Sequence, residues 1–141
     1  RAEEGGMMIQ FRVYGIPQTK GSTKAFMRPG MRFPVIVNDN PKNKSWAQTV
    51  SGEAQRYRPA SPFTGPVRLS LAFYMRKPKS YPKTRELFAV KKPDLDKMIR
   101  SVKDALTGVM YLDDAQVVDL HATKAYDNAP GVYIEIEEVG I

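Results

Sequence analysis

The chain has 141 residues, 42% hydrophobic and 26% charged, with Lys+Arg 22 against Asp+Glu 15 and a formal net charge of +7. That length and apolar content fit one folded domain and exclude both a disordered tail and two ordinary domains. Cysteine is absent, which excludes disulfides and thiolate zinc sites and accords with a cytoplasmic location. No apolar run is long enough to span a bilayer, so a membrane partner is not expected. The basic balance points instead to a polyanion, with nucleic acid as the leading class. Residues 1–7 are acidic and lack the apolar stretch of a signal peptide. They read as a disordered or non-native leader, with Met7 or Met8 as the natural start and a single domain over 8–141.

From Met8 to Ile16 the residues alternate, Ile9, Phe11 and Val13 against Gln10, Arg12 and Tyr14, which predicts a half-buried strand. A loop rich in Gly, Pro and Lys follows, Pro17-Gln-Thr-Lys20-Gly21-Ser-Thr-Lys24, running on through Arg28 and Arg32 without an acid. Phe33 to Val37 reads as a short strand. Asn40-Pro41 breaks the chain before a helix predicted over 43–57, with Trp46, Val50, Ala54 and Tyr57 as its apolar stripe. Pro66 to Arg76 is a second long strand, with Val67, Leu69, Leu71 and Phe73 inward. Lys77 to Pro93 carries three prolines and six cations against Glu86, the pattern of a mobile arm.

Leu95, Met98, Ile99, Val102 and Leu106 then follow helical spacing, and Gly108 is the expected stop. Ala115 to Tyr126 alternates as a strand, with Val118, Leu120 and Ala122 on one face and Val117, Asp119 and His121 on the other. Asn128-Ala-Pro-Gly131 predicts a turn, and Val132 to Val139 a last strand. Together these elements predict an α+β domain: one mixed, largely antiparallel β-sheet with two main helices.

Asp94 and Asp96 open the second helix, and Asp113 and Asp114 follow it, four carboxylates in a basic chain. Helix capping and turn formation account for each pair taken alone. The conjunction is more telling, because the strand after Asp114 can run back alongside the helix toward Asp94. Clustered carboxylates repel one another until a cation or base arrives. Oxygen donors suit Mg²⁺, and Mg²⁺ beside a basic surface suits hydrolysis of a phosphodiester. No EF-hand fits, since Ile99 and Ala105 occupy the positions that need Gly and Glu. His121 has no partner ligand in the pattern and reads as a strand-face residue.

The run Lys92-Pro-Asp-Leu-Asp-Lys-Met-Ile-Arg-Ser-Val-Lys-Asp-Ala-Leu-Thr-Gly108 and the block Leu112-Asp-Asp-Ala-Gln-Val-Val-Asp119 resemble the RusA family of Holliday junction resolvases. Lys124 and the Gly131–Ile136 strand also fit the family, and the Pro17-x-x-Lys20-Gly21 loop resembles one found in its phage-type members. The resemblance is clear over about 90–137. It implies a RusA-like fold and a Mg²⁺-dependent endodeoxyribonuclease (Mn²⁺ a substitute) with no small-molecule cofactor. By the same resemblance Asp94, Asp96 and Asp114 are the catalytic, metal-binding carboxylates and Asp113 their less critical neighbour. Lys97 stands where the family often has Asn. Arg100 replaces a functionally important lysine; an ion pair with Asp96 is its alternative role.

Lys20, Lys24, Arg28, Lys91, Lys92, Lys97, Arg100 and Lys124 are the candidates for DNA-backbone contacts, although each alone also reads as solvated surface. Cutting a four-way junction in two symmetric strands with one acid cluster per chain calls for a homodimer, as the resemblance also implies. The alternatives are a metal nuclease for flaps or replication forks, and a non-catalytic DNA-binding protein whose acids only cap and turn.

Overall fold

The computed structural model describes residues 8–19, 23–26, 29–30, 32–33, 35–38, 42–79 and 88–140, with the backbone alone of 23–26 and 35–38. Six strands and two helices follow in the order β1 (Met8–Tyr14), β2 (Thr23–Phe26), β3 (Val35–Asn38), α1 (Lys42–Gln55), β4 (Val67–Arg76), α2 (Leu95–Leu106), β5 (Val117–Asp127) and β6 (Gly131–Glu138). The main sheet has the order β1-β6-β4-β5. Its β1–β6 and β4–β6 pairs are antiparallel and its β4–β5 pair is parallel. Parallel neighbours need a long crossover, and here α2 lies within it. The sheet is therefore mixed, as expected.

The inward faces of β1, β4 and β6 supply Ile9, Phe11, Val13, Val67, Leu69, Leu71, Phe73, Val132, Ile134 and Ile136 to a single core. Helix α1 adds Trp46, Val50 and Ala54 to it, and α2 adds Met98, Val102 and Leu106. The Ser101 hydroxyl of α2 donates to Asn43 Oδ1 of α1, joining the helices where a buried hydroxyl needs a partner. Tyr57 lies beyond the end of α1, not on its stripe. It still stacks on Phe11, with ring centroids 5.0 Å apart.

The opposite face of the sheet carries no helix among the described residues. Arg12 lies against the rings of Tyr14 and Tyr74, 4.9 and 4.5 Å from their centroids. Its guanidinium also meets Asp127 at 3.2 Å. The backbone N–H of Ala129 first, and then Arg12, hold the Asp127 carboxyl below its ordinary range. Arg68 spans three strands, donating to Asp119 of β5 and Glu137 of β6 at 2.8 and 2.9 Å. Those are the neighbours that the register gives it.

Three expectations need correction. The loop from Pro17 contains β2, which pairs antiparallel with β3, so the early segment holds a hairpin and not a lone strand near Phe33. Its short β2 segment has no alternating apolar pattern by which to be seen. A register shift between Val67 and Arg68 disturbs the predicted β5 faces. It turns Val118 outward, 64% exposed, while Val117 joins Ala122 against the core; an extra residue on one strand reverses the facing of what precedes it. The segment Lys77 to Pro93 is docked at its end: Phe88 bridges Ala125, and Ala89 N donates to Lys124 O at 3.1 Å. Residues 80–87 of that predicted arm lie outside the described residues. No described helix is long and apolar enough to cross a membrane.

Gly131 opens β6 at φ +156, where an added Cβ would collide with the backbone carbonyl oxygen of Val13 in β1. Neither the conformation nor the space suits a side chain. Gly131→Ala is expected to destabilise the fold by roughly 2 to 4 kcal/mol, the range for overpacking plus backbone strain. Urea unfolding checks this.

Candidate active site

Pro93 precedes α2 and Asp94 is its N-cap residue, with extended dihedrals of φ −72 and ψ 139. Asp94 O accepts from Met98 N at 3.2 Å, closing the first turn. An aspartate at an N-cap ordinarily turns its carboxylate back onto the free N–H groups. Asp94 makes no such bond. Capping therefore does not consume this carboxylate, and the structural explanation for the residue weakens. Asp96 lies in the first turn, exposed. The i,i+4 ion pair that would give Arg100 an ordinary role is not formed among the described residues, and Arg100 is exposed.

An open cleft of ≈ 380 Å³ lies here, lined by Thr19, Lys92, Pro93, Asp94 and Lys97. It brings the end of the Pro17–Thr19 loop beside the start of α2. Lys92 and Lys97 put positive charge next to an uncommitted carboxylate. Of the predicted DNA contacts, Lys91, Lys92 and Lys97 are exposed at this end of the molecule. Lys20 and Arg28 lie outside the described residues, and Lys24 is placed only as a backbone position in β2.

Lys124 behaves differently from its prediction as a DNA contact. Its Nζ donates to Lys91 O and Pro93 O, both at 2.7 Å, from the half-buried strand β5. An ammonium has three donors, and two are spent on the carbonyls flanking Lys92. Lys124 thus ties β5 to the segment leading into Asp94. Lys124→Met is expected to free the Lys91–Pro93 segment, read as faster hydrogen exchange at the amides of Lys92 and Asp94; unchanged exchange there would mean that the two carbonyl bonds do not hold it.

Asp113 and Asp114 divide their labour. Asp113 caps the single 3₁₀ turn Asp114–Gln116, its Oδ1 accepting from Ala115 N at 2.9 Å. Gln116 completes a capping box: its Oε1 accepts from Leu112 N and Asp113 N, both at 2.9 Å. Its Nε2 donates to Phe63 O at 2.8 Å and Gly65 O at 3.0 Å, fastening the turn to the segment before β4. Asp113, predicted among the catalytic residues, is thus engaged in holding the turn. The Asp114 carboxylate makes no hydrogen bond or ion pair among the described residues. Nearby, burial pushes the Tyr111 hydroxyl well above its ordinary range, with Asp114 adding to the shift. That hydroxyl donates to Lys103 O in the last turn of α2.

These contacts locate Asp114 relative to Asp94. The strand β5 does run back along α2, but Lys124 is the residue that arrives at Pro93. Asp114 stays near the opposite end of the helix, close to Tyr111. Seven strand steps from Val117 to Lys124 at about 3.3 Å each put the two ends on the order of 20 Å apart. Accordingly, among the described residues no three His, Cys, Asp or Glu side chains form a metal-holding group. The predicted return of Asp114 to the helix start does not occur within one chain. Gln116 and Thr19 were missed as site residues. The Asp-x-x-Gln spacing was the signal for Gln116; Thr19 had none.

The fold and site are those of a single-domain α+β protein presenting uncommitted carboxylates beside cations at one helix start. The sequence profile described as "Endodeoxyribonuclease RusA" matches residues 17–137, and the chain belongs to that endodeoxyribonuclease family. It is also 36% identical over 140 residues to the "Uncharacterized protein YqaN" of Bacillus subtilis (strain 168), covering 93% of this chain and 96% of that protein.

Proposed function

We propose that this protein is a Mg²⁺-dependent endodeoxyribonuclease that resolves four-way DNA junctions by paired phosphodiester hydrolysis, acting as a homodimer. The observation that carries the reading is the Asp94 carboxylate, placed at a helix start without capping it, in a cleft rimmed by Lys92 and Lys97. The donor set fits the ion. Mg²⁺ takes hard oxygen ligands, and it is usually held by one or two carboxylates with waters and substrate phosphates completing the shell. Asp94, Asp96 and Asp114 would hold it. Bound there, Mg²⁺ (or Mn²⁺) supplies a Lewis acid for the phosphate and an acidified water.

The chain's own residues do the rest. Lys92 and Lys97 neutralise and orient the DNA backbone at the cleft, Lys124 fixes the approach to Asp94, and Gln116 holds the turn bearing Asp114. Arg100, exposed on the same helix, would meet a phosphate. Because Asp114 lies at the far end of α2 in its own chain, we assign its convergence with Asp94 and Asp96 to a symmetric pair of chains. In that arrangement Asp94 and Asp96 of one copy face Asp114 of the other. Two such composite sites also supply the two cuts that resolution requires.

The deciding experiment incubates the protein with a synthetic mobile four-way junction, with and without Mg²⁺. Symmetric paired nicks that require the ion are expected. Binding should weaken steeply with salt, because neutralised phosphates release counterions. Cutting confined to flaps or forks in a parallel panel would replace the junction reading with the alternative nuclease, and binding without any cutting would leave only a DNA-binding protein.

A further inference from the structure

Beside the Asp94 cleft lies a second one of ≈ 240 Å³, and Lys92 lines both. Its composition differs from that of a plain phosphate groove. Ile16, Met75, Pro78 and Tyr126 supply apolar surface, while Arg76 and Lys92 supply cations. Ile16 is 48% exposed although it is aliphatic, and Arg76 is exposed with no ion pair among the described residues. A cleft serving phosphates alone gains nothing from an apolar wall, and one serving core packing would not carry two solvated cations at its rim. Apolar surface combined with flat or long cations is what an unstacked nucleobase and its own phosphate require. Because Lys92 lines both, a strand whose phosphate enters the Asp94 cleft passes beside the second one.

We infer that this second cleft binds the unstacked base of the nucleotide next to the cleaved phosphodiester. The inference rests on the nuclease reading given above. A base withdrawn at the branch point leaves the neighbouring phosphate free of duplex geometry, so the cleft couples junction recognition to placement of the cut. Unstacking is cheapest where pairing is already broken, which is the situation at the crossover. The cleft therefore favours branched over linear duplex DNA without reading groove sequence.

The test uses the cleavage-deficient Asp96→Asn protein and a four-way junction carrying 2-aminopurine at the nucleotide adjoining the cut mapped with the unmutated protein. Saturating binding, followed separately by anisotropy, is expected to raise the 2-aminopurine emission about threefold or more as stacking is lost. Adding Ile16→Asn or Arg76→Gln should remove most of that rise while affinity falls less than about tenfold, since most of the backbone contacts remain. Saturated binding with no rise overturns the base cleft and leaves the nuclease reading intact. A rise that persists unchanged in both double variants also overturns it, because the base would then be unstacked elsewhere. Failure of the unmutated protein to bind or cut the junction removes both readings together.

Discussion

Asp96→Asn and Asp114→Asn are each expected to abolish junction cleavage, lowering the rate by at least about 10³-fold, the scale of losing a group that places charge-stabilising machinery. Binding should survive or tighten, because a neutral side chain removes repulsion from phosphate. The geometry adds a sharper consequence. If Asp96 of one copy and Asp114 of the other share a site, mixed dimers of the two inactive variants contain one doubly damaged site and one intact site. Mixing should therefore restore nicking of one strand, without paired resolution. If each site lay within one chain, the mixed dimer would have none intact and no nicks would appear. Persistent cutting by either variant alone would remove the proposed mechanism.

Gln116→Ala should have the next largest effect. Four hydrogen bonds run through that one amide, two to the N–H groups of Leu112 and Asp113 and two to the carbonyls of Phe63 and Gly65. Leaving such partners unmet costs roughly 2 to 3 kcal/mol in total where they are only partly buried. The expected loss of stability is therefore measurable by urea unfolding. The cleavage rate should fall about 10- to 100-fold even well below the melting temperature, because the turn carrying Asp114 loses its anchor. Full activity with reduced stability would make Gln116 a purely structural residue. Restoration of activity at saturating Mg²⁺ would instead identify weakened ion binding as the cause.

Long, strongly patterned segments were legible because their periodicity is local. The alternation over Met8–Tyr14 and Val67–Arg76 and the helical stripe of α2 each follow from which side of one element meets water. The β5 facing was not legible. It depends on a register shift opposite Val67, a matter between two strands. Nor was the β2–β3 hairpin, where four-residue strands carry too little pattern. Lys124 shows the same limit at a single residue: its charge suggested a DNA contact, and only the fold directs that charge onto two carbonyls.

By itself, the amino-acid order determined the class of this protein, the α+β architecture and the identity of its acidic residues, because composition, spacing and motif are properties of the linear chain. Only the tertiary structure decided where those acids stand. Strand β5 returns along α2 with Lys124 at the helix start, where Asp94 makes no capping bond, and Asp114 stays at the other end. Side-chain chemistry is written residue by residue, but distances between remote residues are set by packing and pairing of whole elements.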